Sequence, residues 1–302
     1  MTGPVTDALA WVTVAGFVCS ALLQRRSERG ARALAGATWL LFAVFWLLLV
    51  PHFAFVQKSF VEGVLTAFAV PACALVGYLT WARRPTLLVL ARAVALMGLI
   101  YLPFLAVPGV AETAIEATAD LSAALAGLLG YDLAVRMATT GYESQLTLVG
   151  SDGATRWVTV VLACTGIGSI SVVSGLVMAV RAPLRKRVAV ALGLSALIYV
   201  LNILRVTFIA LAYGDQWFQF YPETVLTLFG ATETRRVSYF IADRVIAQSL
   251  SLVVMVAVMV WLIGTLPGLA GVADEVGYVL TGREFELERR LTGTDSPAAS
   301  AD

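Results

Sequence analysis

Seven apolar runs, each about as long as a bilayer is thick, constrain this chain more than any other feature. A hydrocarbon core about 30 Å thick takes about 20 residues of helix. The runs extend from Thr6 to Leu23, Ala33 to Val50, Val61 to Ala82, Thr86 to Val107, Trp157 to Val180, Val188 to Tyr213 and Arg244 to Leu266. In lipid a spanning segment must satisfy its own backbone N–H and C=O groups, which a helix does internally. The expected fold is therefore all-α: a polytopic membrane bundle of about seven transmembrane helices. Only 14% of the 302 residues are charged while 59% are hydrophobic, the reverse of a soluble surface. A net charge of +1 offers no footprint for nucleic acid, and no nucleic-acid partner is expected.

The connections between runs set orientation, because arginine and lysine are retained on the cytoplasmic side. RRSERGAR follows the first run, Arg83 and Arg84 follow the third, and RAPLRKR follows the fifth. The alternate connections are longer and acidic, with Glu112, Glu116, Asp120, Asp132, Glu143 and Asp152 in one and Asp215, Glu223 and Glu233 in another. This puts the N-terminus outside and the tail inside, in a multi-pass protein of the cell membrane.

Four regions follow: a four-helix membrane part (1–107), an outer loop (108–156), a three-helix membrane core (157–267) and a cytoplasmic tail (268–302). Within the outer loop, ETAIEATADLSAALAGLL has apolar residues at helical spacing. It is an interfacial helix or an eighth membrane element. After it, QLTLVGSDGATRWVTV sets Asp152 and Gly153 between two strand-like runs and predicts a short β-hairpin.

Charge inside a bilayer costs about 2.5–3.5 kcal/mol per residue, so an embedded arginine calls for a reason. Arg205 lies about two turns before the sixth helix reaches the outer surface, and Arg244 opens the seventh on the same side. Helical spacing puts Ser195, Asn202 and Arg205 on one stripe, and Arg244, Gln248 and Ser251 on another. Cys164 is expected about two turns below the outer end of the fifth helix, at a similar depth. A nucleophilic thiol must ionise, and neighbouring guanidiniums favour the thiolate. Their N–H groups also suit an oxyanion. A guanidinium is too basic to serve as general base. The lone histidine, His52, ends the second run on the outer side and is a candidate for that duty. Cys19 and Cys73 sit in other apolar runs and read as packing. Neither cysteine spacing nor histidine count offers a metal site, and no cofactor is expected. An anion-binding transporter that uses Arg205 and Arg244 is the rival reading.

The strings ACTGIGS (163–169), LNILR (201–205) and ADR (242–244) resemble the exosortase/archaeosortase family. That family spans the membrane many times and carries an Ala-Cys-[Ser/Thr]-Gly motif, an Asn-x-x-Arg and a later basic residue. Most members have histidine at this last position, whereas the archaeosortase branch has arginine, as at Arg244. The resemblance is close over the middle and C-terminal helices and one of general architecture over the first four. It implies a cysteine transpeptidase facing the exterior. Cys164 would be the nucleophile forming an acyl-thioester, Arg205 the proton donor and Arg244 the transition-state stabiliser, although the two arginines could exchange duties. The implied partners are C-terminal segments of secreted surface proteins such as S-layer glycoproteins, carrying a Pro-Gly-Phe motif, a membrane helix and a basic cluster. The implied acceptor is a membrane lipid. An intramembrane cysteine protease without transfer is the alternative.

Overall fold

A computed structural model describes residues 3–56, 60–82, 84–107, 109–283 and 287. Arg83 and most of the tail beyond Arg283 lie outside the described residues. In chain order the elements are α1 (Pro4–Leu23), α2 (Glu28–Pro51), α3 (Phe60–Ala82), α4 (Leu88–Ala106), α5 (Val110–Leu128), β1 (Leu133–Met137), β2 (Glu143–Val149), β3 (Thr155–Thr159), α6 (Ile167–Ala179), α7 (Leu184–Gly214), α8 (Pro222–Phe229), α9 (Arg236–Phe240), α10 (Gln248–Thr265) and α11 (Gly268–Thr281). A π-helical turn, His52–Val56, prolongs α2, and another, Ile241–Ala247, fuses α9 to α10.

Six of these helices are long and apolar enough to cross a membrane, including Glu28–Val56, Leu184–Gly214 and Arg236–Thr265. The fold is the polytopic helical bundle expected, but the fifth apolar run takes an unexpected form. Its first residues are strand β3, a 3₁₀ turn (Leu162–Thr165) follows, and the remaining helix α6 has 13 residues. Hydropathy registers side chains and not the backbone hydrogen-bond pattern, so Trp157–Thr165 read as helix. The 19-residue α5 is not among the six, and two of its five buried residues, Thr118 and Ser122, are polar beside Ile115, Ala119 and Ala126.

The chain folds as two compact units. The first runs from the N-terminus to Ile100, with Ser171–Leu192 and the chain from Val258 onward. Its core holds Phe17, Trp39, Cys73 and Val76, with Phe17 edge-on to Trp39 at 4.9 Å between ring centroids. Helices α2 and α3 meet at glycine: a Cβ on Gly36 would lie 3.0 Å from the Gly77 carbonyl oxygen, and one on Gly77 2.9 Å from that of Gly36. Side chains such as Leu47, Trp81 and Leu192 are exposed, as a lipid-facing surface requires. Beyond the last span, α11 buries Leu269 and Ala270, and its Glu275 accepts from Thr86 Oγ1 at 2.7 Å and pairs with Arg84 at 3.3 Å.

The second unit comprises Tyr101–Ile170 and Gly193–Ala257. Its three strands form an antiparallel sheet in the order β1-β2-β3. The hairpin β2-β3 is the expected one, and Gly153 takes the positive φ (76°) that its tight loop demands. Strand β1, only five residues long, joins the far side of β2. Ile115 and Ala119 of α5, Leu146 and Leu148 of β2, Val160, and Val206 and Ala210 of α7 share one core, against which Cys164 packs. The hairpin is tied to the end of α7: Ser151 N donates to Asp215 Oδ1 at 2.8 Å, and Arg156 Nη1 donates to the Gly214 carbonyl at 2.8 Å. Arg156 also clasps Asp152, and this bond, more than any other, holds the Asp152 carboxyl down to about 2. A carboxyl lowered in the folded state stabilises fully above its unfolded value of about 3.9. Its contribution is lost only as pH falls toward 2, so the hairpin clasp persists in mild acid.

Candidate active site

The second unit holds Cys164, Arg205 and Arg244, with both arginines within electrostatic range of the thiol. Cys164 sits in the 3₁₀ turn between β3 and α6, not two turns down a helix, and is half-buried. Two local bonds shape the turn: Cys164 N donates to the Val161 carbonyl and Thr165 Oγ1 to the Leu162 carbonyl, both at 2.7 Å. Gly166 then reverses the chain at φ 77° and α6 begins. The turn is held from α7, where Asn202 Nδ2 donates to the Cys164 carbonyl.

A side chain at 166 would be doubly penalised. Its Cβ would lie 3.2 Å from Cβ of Asn202, and the left-handed backbone costs an L-residue about 1–2 kcal/mol. Gly166→Ala is therefore expected to destabilise the protein by about 1–3 kcal/mol. Gly168→Ala, on α6 with open space around it, should change stability by less than about 1 kcal/mol. Thermal unfolding of the two variants in the same detergent checks this; equal melting temperatures would refute it.

Arg205, the last residue of its sequence motif, lies about two turns past the midpoint of α7, and there it meets an anion. Arg205 Nη2 donates to Asp243 Oδ1 at 3.0 Å, and Arg244 Nε lies 3.4 Å from Asp243 Oδ2. One carboxylate thus bridges both guanidiniums. Its side chain is 12% exposed, against 31% and 23% for the two arginines, so the cluster is sheltered but reachable. The π-helical turn Ile241–Ala247 carries Asp243 and Arg244. Such a turn inserts one residue into helical packing and is common where side chains are re-aimed for function. Tyr239 completes the group by a hydrogen bond to Asp243. Burial pushes the Cys164 thiol up, as does the charge of Asp243, and the guanidiniums of Arg205 and Arg244 act in the opposite direction. Arg205 Nε is buried without a hydrogen-bond partner among the described residues, a spare donor inside the site.

The bond of Asp243 to Arg205, 38 positions away, carried no local signal in the sequence. Thr165 bonds locally, as small polar groups in helices do. His52 belongs to the first unit, where its ring packs against Phe53.

A thiol beside two guanidiniums that share a carboxylate can form and stabilise a thiolate and can offer N–H donors to an oxyanion. Comparison with known proteins identifies the family. The sequence pattern of the transmembrane exosortases matches residues 6–232, a stretch that includes Cys164 and Arg205 and stops short of Arg244. Archaeosortase A of Haloferax volcanii is 40% identical over 302 residues, covering 96% of this chain and 99% of the relative. Archaeosortase A of Natronomonas pharaonis is 43% identical over 292 residues, covering 94% of this chain and 91% of the relative. No solved structure matches. The chain belongs to the exosortase/archaeosortase family, membrane-embedded, sortase-like processing enzymes of surface proteins.

Proposed function

We propose that the chain is a cysteine transpeptidase that cuts a C-terminal sorting segment and hands the new C-terminus to a membrane lipid. The substrates are secreted surface proteins, S-layer glycoprotein among them, ending in a Pro-Gly-Phe motif, one membrane helix and a basic cluster. The observation that carries this reading is the sharing of Asp243 by Arg205 and Arg244 within electrostatic range of Cys164.

Cys164 is the nucleophile. Its sulfur bonds to the scissile carbonyl carbon, and the carbonyl oxygen takes up negative charge beside Arg244, the transition-state stabiliser. The C–N bond then breaks, and the leaving amine receives a proton through Arg205, balancing the one lost by the thiol. The acyl-thioester remains on Cys164. A nucleophilic group of the lipid displaces the sulfur and its proton returns to the thiol. Asp243 holds the two guanidiniums apart and aimed, and is a positioning residue. It also weakens the rival reading of an anion transporter, because both arginines already share an anion.

The site faces the exterior. Arg25, Arg26, Arg29 and Arg32 on one connection and Arg181, Arg185, Lys186 and Arg187 on another support cytoplasmic placement of those ends. The acidic hairpin region and the site belong to the opposite ends.

Trapping the intermediate tests the proposal. The full chain in lipid vesicles is mixed with a fusion protein ending in such a segment, then quenched with hydroxylamine. A C-terminal hydroxamate, together with a lipid adduct in the unquenched sample, is the expected result. A hydroxamate in the quenched sample with a free acid in place of the lipid adduct in the other would leave a cysteine protease without transfer, and an acyl group on any residue other than Cys164 would refute the assignment.

A further inference from the structure

Strand β3 lies at the edge of its sheet, and among the described residues only β2 pairs with it. Val160 N donates to the Ser144 carbonyl at 2.7 Å, and Gly150 N to the Ala154 carbonyl at 3.0 Å. Antiparallel ladders alternate bonded and non-bonded pairs. With those two bonds flanking β3, Arg156 and Val158 face β2, and the backbone groups of Thr155, Trp157 and Thr159 face the open edge. An unpaired edge is a ready template for another strand, and proteins with no use for it blunt or cover it.

A cavity of about 340 Å³ runs along this edge. Besides β3 it is lined by Tyr213, Tyr239, Arg235, Arg236 and Glu233. Arg235 and Arg236 share the single carboxylate of Glu233, which leaves one guanidinium charge in excess in the lining, whereas Arg156 is paired with Asp152. Tyr239 belongs to cavity and site alike, since it also bonds Asp243 and lies within electrostatic range of Cys164. Four residues separate Thr159 from Cys164 along the chain.

We infer that the edge of β3 and its cavity bind the substrate's extended segment upstream of the scissile bond, as an added strand bearing acidic side chains. Strand addition draws affinity from main-chain hydrogen bonds and specificity from pockets for alternate side chains. A strand running in the direction of β3 delivers its C-terminal end toward Cys164. This inference rests on the peptidase reading above.

Backbone N-methylation tests it with the full-length enzyme. A series of acidic peptide substrates, each methylated at one amide upstream of the cleaved bond, is assayed for acylation of Cys164. Period-two losses of about tenfold in kcat/KM, with intervening positions nearly unaffected, are expected from removing single edge bonds. Thr159→Pro removes an outward-facing N–H and no ladder bond, and should raise KM about tenfold while kcat changes little. Exchanging the peptide's carboxylates for amides should weaken binding to the wild type and have no effect on Arg235→Gln/Arg236→Gln. Normal acylation with a flat methylation profile would overturn the edge site and spare the peptidase reading. Failure of the unmethylated peptide and of a complete sorting segment to acylate Cys164 would overturn both.

Discussion

Replacing Cys164 with serine is expected to abolish processing, lowering the rate by roughly a thousandfold or more, as loss of a nucleophile does elsewhere. The fold should survive. The side chain differs by one atom, packs half-buried against the second unit's core, and takes no part in the bond from Asn202, which goes to the backbone carbonyl. Chemistry should not survive, because an alcohol is a far weaker acid than a thiol and the flanking guanidiniums cannot remove its proton. Product formation from a sorting-segment fusion, measured beside a melting curve, separates these effects. Cys19→Ser and Cys73→Ser are the controls. Cys73 is buried in the first unit, and its exchange should cost stability of about 1 kcal/mol without loss of turnover. Turnover by Cys164→Ser within tenfold of the wild type, or its loss from either control, would remove Cys164 from the centre of the mechanism.

Hydropathy made the membrane legible at once, since long apolar runs have few alternatives in lipid. Arg205 stood out for the same reason: a charge deep in an apolar helix must be compensated, and the compensation is Asp243. What hydropathy could not resolve was the backbone path through an apolar run. Val160, Val161, Leu162 and Ala163 suit strand, 3₁₀ turn and helix alike by composition, and only the packing of Val160 beneath β2 and the reversal at Gly166 decide among them. The π-helical turn at 241–247 was equally hidden, because a one-residue insertion in a helix leaves the spacing of apolar residues almost unchanged. That turn matters to the site. With it, Asp243 and Arg244, adjacent in sequence, both reach the guanidinium of Arg205 or its carboxylate partner. Adjacent residues on a regular helix point about 100° apart. Strand β1, too short for periodicity to register, was missed for a simpler reason.

The second large effect is expected at that carboxylate. Asp243→Asn keeps the size and one acceptor oxygen but removes the charge that two guanidiniums share. Breaking a sheltered ion pair by neutralising one partner leaves the others uncompensated, which is costly. With the arginines partly exposed, the stability loss is expected to be about 1–3 kcal/mol, below the figure for a fully buried pair. The loss in kcat is expected to be larger in proportion, about a hundredfold, since catalytic groups displaced by about 1 Å lose that much. KM should change little, because Asp243 is not placed to touch the bound chain along β3. Asp243→Glu restores the charge on a longer arm and should recover a substantial part of the rate, whereas a merely structural role would be served equally by both variants at matched stability. The outcome that defeats this view is specific: Asp243→Asn retaining kcat while KM rises. The carboxylate would then act on substrate binding, and the two arginines would have to find their positions without it.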